Sequence, residues 1–139
     1  MRIIILTKLH TGKAYKTIRD KKTKRIFTAY MNMIRSVVMI ASNLPESELN
    51  RLKVKLRKPA HEILNLRIDH RKKYSERTIR NYFAVSMKSC AELKANLKLA
   101  LYNNYITSDT KRYVTRLIND IERITEELVE AHYKKKDTR

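Results

Sequence analysis

Four histidines, one cysteine and fourteen carboxylates are the side chains with which this 139-residue chain could do catalytic or metal chemistry. His10, His61, His70 and His132 are scattered, and no pair has the i,i+4 spacing that sets two imidazoles on one metal ion. A carboxylate-bridged di-iron bundle needs Glu-x-x-His on two helices, and the sequence contains no such pattern. Cys90 falls between Ser86 and Leu93 at helical spacing, where a free thiol behaves as a small hydrophobe rather than a nucleophile. A single cysteine also excludes an internal disulfide and every multi-cysteine zinc motif. Gly12 is the one glycine, too few for a phosphate-cradling loop or a dinucleotide fingerprint. Glu122, Glu126, Glu127 and Glu130 lie off the apolar stripe of their segment, where they are expected to pair with Arg123 and Lys134 or to face water. The chain is therefore expected to be no enzyme, with no catalytic, cofactor-binding or metal-ligating residues.

Charge carries the positive signal. The 32 Lys and Arg outnumber the 14 Asp and Glu, a formal net charge of +18 at pH 7. Such a surface repels itself and seeks polyanions. The excess is local: residues 1–25 hold nine basic side chains and one acid, and residues 51–73 hold nine and two. Residues 101–139 are nearly balanced, with eight basic and seven acidic. A charge spread for solubility alone would be more even.

In the second of these segments, Arg51, Lys55 and Lys58 fall near one line of a helix at 100° per residue, away from its apolar stripe. Lys53 and Arg57 flank the other side; Arg67 follows, and Arg71, Lys72 and Lys73 extend the run. Cations at this spacing suit contacts to a phosphate backbone, which position a nucleic acid without reading its bases. Tyr74, Tyr102, Tyr105 and Tyr133, near helix ends, have the chemistry to stack unpaired bases. They would equally plug the ends of a bundle with a wet hydroxyl.

The elements that must position these side chains are helical. Two prolines and one glycine cannot supply the turns of an all-β fold. Apolar residues recur at helical period in four blocks. Phe27, Tyr30, Ile34, Val37, Val38 and Ala41 mark the first, which stops before Pro45. Leu49, Leu52, Leu56, Ala60 and Ile63 mark the second, with Pro59 inside it and an expected end near Arg71. Ile79, Tyr82, Phe83, Ser86, Cys90, Leu93, Leu97, Ala100 and Leu101 mark the third, capped by Ser75 and ending at Asn103 and Asn104. Tyr113, Val114, Leu117, Ile118, Ile121, Ile124, Leu128 and Val129 mark the fourth, capped by Thr107 or Ser108. Short joints imply antiparallel neighbours, so the expected fold is all-α, an antiparallel up-and-down four-helix bundle. Its expected limits are 26–133, with a basic N-terminal extension at 1–25 and a basic C-terminal tail at 134–139. No apolar run approaches the roughly 18 residues of a spanning helix. The run Ile3-Ile4-Ile5-Leu6 is short for a secretion signal, so a cytoplasmic location without membrane contact is expected.

From Leu44 onward the layout resembles a family of bacterial and phage four-helix-bundle proteins. Its branches are the accessory variability determinant (Avd) of diversity-generating retroelements and the proteins encoded in ribosomal-RNA intervening sequences. Leu44-Pro45-Glu46 stands where the family has a Phe-Pro-Lys-type joint. Ala91-Glu92-Leu93, Leu97, Leu99 and Asn104-Tyr105-Ile106-Thr107 are similar to the end of its third helix and the turn that follows. Leu117-Ile118-Asn119-Asp120-Ile121-Glu122-Arg123 resembles a fourth-helix Leu-Ile-Asn-Glu-Ile-Gly-Arg motif, with Glu122 in place of its glycine. Residues 1–25 have no counterpart there. The Avd resemblance implies a homopentameric barrel that binds reverse transcriptase and template RNA, or an RNA/DNA hybrid. It also implies support of mutagenic cDNA synthesis without catalytic residues, from a bacterial or phage-encoded protein. Other classes remain open on the residues alone: an intervening-sequence-type protein, a duplex-DNA-binding protein, or a structural adaptor for an acidic protein. The joints lack the glycine and short recognition helix of a helix-turn-helix.

Overall fold

The computed structural model describes residues 21–48, 51–66, 68, 69 and 71–137, with side chains as far as Lys134. Among these residues the chain forms four α-helices and a short 3-10 turn, and no strand. Helix α1 runs Lys21–Ser42, the turn Glu46–Glu48, α2 Leu52–Asn65, α3 Glu76–Tyr102 and α4 Ser108–Asp137. Leu49, Arg67 and His70 lie outside the described residues, as does most of the expected 1–25 extension with its His10. The last part of that extension, Lys21 to Arg25, opens α1.

The helices pack in cyclic order: α1 on α2, α2 on α3, α3 on α4 and α4 back on α1. Neighbours run antiparallel. Between α2 and α3, Lys55 meets Asn96 while Glu62 meets Ser89, so one number rises as the other falls. Between α3 and α4, Lys94 meets Glu122 while Tyr82 meets Thr125. One apolar core fills the centre, with Tyr30, Ile34, Leu56, Ile63, Leu93, Leu97, Ile118 and Ile121 almost without solvent contact. Burial of this kind drives the assembly.

Local caps fix the helix ends. The Ser75 hydroxyl accepts the Thr78 N–H at 3.1 Å, and Thr107 Oγ1 accepts the Thr110 N–H at 3.1 Å. At the end of α3, Asn104 adopts φ 61°, which asparagine tolerates better than most residues. That conformation lets the Tyr105 N–H reach the Ala100 carbonyl and the Asn104 N–H reach Leu101, both at 2.9 Å. The chain thus reverses tightly into α4.

Two further boundaries and several stripe positions differ from expectation. Helix α2 ends at Asn65 rather than near Arg71, because Asp69 builds a competing turn. Its carboxylate accepts the Arg71 N–H at 2.9 Å and its carbonyl the Lys72 N–H at 3.1 Å. Its own N–H donates to the Tyr74 hydroxyl at 2.9 Å. Helix α4 continues to Asp137, past the tail boundary expected at 133, and the i,i+4 pair of Glu130 and Lys134 at 3.3 Å spans its last turns. Helix α1 buries Met31, Met33 and Ile40 beyond its expected stripe, because both of its flanks are packed, by α2 and by α4. Phe83 and Tyr113, expected inside, are exposed. Tyr113 lies one residue, hence about 100°, around the helix from buried Val114.

Candidate nucleic-acid interface

Helix α2 faces the core with Leu52, Leu56, Pro59, Ala60, Ile63 and Leu64. That commitment turns its cations outward. Lys55, Arg57 and Lys58 are exposed and Lys53 is half-buried, and none of the four makes an ion pair with a described residue. The α3 contacts at Lys55 and Glu62 show which flank each cation occupies. Lys55 and Lys58 follow the seam with α3, whereas Lys53 and Arg57, each two residues from Lys55, lie about 160° around the helix from it, on the flank toward α1. The cations of α2 itself therefore fall in two rows.

Among the described cations of the expected set, two are already neutralised. Arg51 Nε lies 3.3 Å from Oε1 of Glu48, a buried residue with 4% exposure. Arg71 closes a two-pronged contact on Asp69, with Nε to Oδ1 and Nη2 to Oδ2 both at 3.1 Å. A guanidinium so engaged has little left for a phosphate. Lys72 and Lys73 are exposed beyond it, in the turn rather than on the helix.

A further set of cations was hidden by the near-neutral arithmetic of the C-terminal segment. Lys111, Arg112 and Arg116 line a groove of about 420 Å³ with Ser108, Thr115, Asn119 and Leu101. The groove lies on the flank of α4 toward α3, near the end of α3. Arg112 meets Asp109 at 3.7 Å, an exposed and therefore weak pair. Lys111 and Arg116 make no ion pair with a described residue. The carboxylates that balance this segment sit further along α4, so a shorter window of the sequence would have found the excess.

The α4 carboxylates follow the expected pairing only in part. Arg123 meets Asp120 at 3.2 Å and Glu127 at 4.0 Å. Glu122 instead crosses to α3, where Lys94 Nζ reaches it at 2.7 Å and the Asn119 amide oxygen at 3.3 Å. This partly buried pair ties α3 to α4.

Of the four tyrosines with stacking chemistry, three are half-buried. Tyr74 caps the Asp69 turn, and Tyr133 sets its ring edge-on to His132 at 5.7 Å. Tyr105 is raised above the ordinary phenol value by desolvation and by its hydrogen bond to Glu48. Tyr102 alone of the four projects into solvent, 84% exposed.

The interior holds hydroxyls and one thiol. Tyr82 donates to Thr125 Oγ1 at 3.4 Å, and Thr125 donates to the Ile121 carbonyl at 2.8 Å. With its proton so placed, Tyr82 accepts from Tyr30 at 3.2 Å. The chain of donors links α1, α3 and α4. Burial pushes both phenols up, most strongly Tyr30, and pushes the Cys90 thiol up to about 12. The thiol stays protonated near neutral pH and is no nucleophile there. Ser86 Oγ, one turn from Tyr82, is buried without a hydrogen-bond partner.

Among the described residues no group of three or more His, Cys, Asp and Glu side chains could hold a metal, and no helix is long and apolar enough to cross a membrane. His61 is half-buried on α2 and His132 half-buried on α4. Compared with known proteins, the chain matches no protein-family model, no curated protein and no solved structure.

Proposed function

We propose that this chain is a non-enzymatic nucleic-acid-binding accessory protein of a diversity-generating retroelement. Its basic surface takes up template RNA and presents it to the reverse transcriptase, which makes the mutagenic cDNA. The observation that carries the reading is the outward set of Lys55, Arg57 and Lys58 on a helix whose opposite face is spent on the core. With no ion pair to a described residue, these ammonium and guanidinium groups gain most from an external polyanion, through counterion release. The four-helix scaffold and the family-like motifs from Leu44 to Arg123 support the retroelement context and self-association into a pentamer. Bond-making belongs to the polymerase, and this chain contributes charge and shape.

The test pairs two measurements at one salt concentration. Fluorescence anisotropy compares a structured RNA with a duplex DNA of equal length, and sedimentation asks whether the retroelement reverse transcriptase joins the complex. Tighter binding of RNA, with the polymerase co-sedimenting, is expected. Preference for duplex DNA would assign the surface to a DNA-binding protein instead. Polymerase binding without RNA affinity would make the chain a protein adaptor.

A further inference from the structure

The C-terminal half of α3 runs between two rows of cations. On one flank Asn96 touches the backbone of Lys55, which places the Lys55 and Lys58 row beside α3. On the other, Leu101 lines the groove that carries Lys111, Arg112 and Arg116. Both rows lie toward the same end of the bundle, where α2 and α4 begin and α3 ends. Between them, Lys98 and Tyr102 stand one turn apart on the outer side of α3, neighbours at roughly 6 Å. Tyr102 has the chemistry of a stacking platform and is 84% exposed. The Asn103 side chain and the left-handed Asn104 fasten the backbone beside it, since Asn103 Nδ2 donates to the Leu99 carbonyl at 2.9 Å.

We propose that this ridge is a binding site for single-stranded nucleic acid, in which one unpaired base stacks on Tyr102 while the phosphates on either side of it rest on the α2 and α4 rows. The inference rests on the nucleic-acid reading given above and narrows it to a strand class. An aromatic face flanked by cations holds single strands with little regard for sequence, because every base has a π face. A duplex keeps its bases stacked on one another and meets only the cations.

The chain contains no tryptophan, so Tyr102→Trp places one emitter at the site. The probes are a short oligouridylate, a duplex RNA of equal length and inorganic polyphosphate. Oligouridylate is expected to quench the emission, and polyphosphate at equal occupancy to leave it unchanged. Tyr102→Ala is expected to weaken oligouridylate binding about tenfold and duplex binding little, with Tyr102→Phe restoring it. Reversing Lys111 and Arg116 to Glu weakens both strand types, since that row holds phosphates. Oligouridylate that binds without quenching, and with equal affinity to Tyr102→Ala, overturns the inference and leaves the nucleic-acid reading standing. Binding of structured RNA alone, with none of oligouridylate, overturns it likewise. Failure of every nucleic acid to bind removes both.

Discussion

The side-chain amide of Asn96 donates to the backbone carbonyl of Lys55 at 2.9 Å, and that oxygen is the one Pro59 leaves without a partner. In an uninterrupted helix the N–H of residue 59 would fill it, but proline has none. Helix α3 thus supplies the hydrogen bond that α2 lacks, and the same contact fixes the register of the two helices. Pro59 is buried inside α2, so a proline that would break an isolated helix is tolerated at the seam.

Asn96→Ala is expected to cost about 1 kcal/mol in chemical denaturation, the net worth of an ordinary hydrogen bond. In a Pro59→Ala background the carbonyl regains its own N–H, and the Asn96 substitution should become nearly silent. A double-mutant cycle measures the difference; additive costs would show that the amide does not serve the proline gap.

The buried hydroxyl chain predicts an asymmetry. Tyr30→Phe removes the first donor and leaves every remaining proton placed, at a cost of about 1 kcal/mol. Thr125→Val takes away the acceptor and strands one buried hydroxyl proton, costing about 1–3 kcal/mol. Denaturation midpoints in the reverse order would contradict the assigned direction of donation.

Alkali should loosen the fold. Cys90 rises from 9.0 to about 12 on folding, and Tyr30 and Tyr82 rise above 10.0. Each group is neutral in the fold over a range where the unfolded chain has already lost the proton. Stability from these groups is complete below pH 9 and falls as pH climbs toward 12, by linkage. Cys90→Ala should flatten the first part of that fall, between pH 9 and 10, before the phenols contribute. An unchanged slope there would exclude the thiol as its source.

Arg51 and Lys55 should part company under charge reversal. Arg51→Glu sets a second carboxylate against the buried Glu48 and is expected to lower stability by about 1–2 kcal/mol. Lys55→Glu, on an exposed face without an ion pair among the described residues, should stay within about 0.5 kcal/mol. Thermal melts of the two variants decide it.

What the sequence disclosed follows from how far each cause reaches. Ser75, Thr107 and Asn104 act within a turn or two, so their caps could be read from neighbours alone. The four apolar stripes gave the bundle for the same reason, with errors at positions such as Tyr113 that lie one residue off the seam. The service of Asn96 to Pro59 depends on the register of two helices separated by a loop, and no local pattern carries it. The end of α2 was misplaced because the charged run through Arg71 continues a helical spacing, while Asp69 spends its carboxylate on a turn. Arg51 looked free although Glu48 stands at i−3, since the burial of Glu48 in the 3-10 turn had no local signature. Lys111, Arg112 and Arg116 disappeared into a balanced count because, Asp109 apart, the compensating acids lie further along the same helix.

If outward cations on α2 capture nucleic acid electrostatically, RNA affinity must fall steeply with salt. With about five phosphates neutralised per protomer, log affinity against log salt should fall with a slope near −4. Reversing Lys55, Arg57 and Lys58 together should make that slope shallower by about 2–3 while the helical melt is unchanged. A wild-type slope near zero, or an identical slope in the triple variant, would rule out electrostatic capture by these side chains.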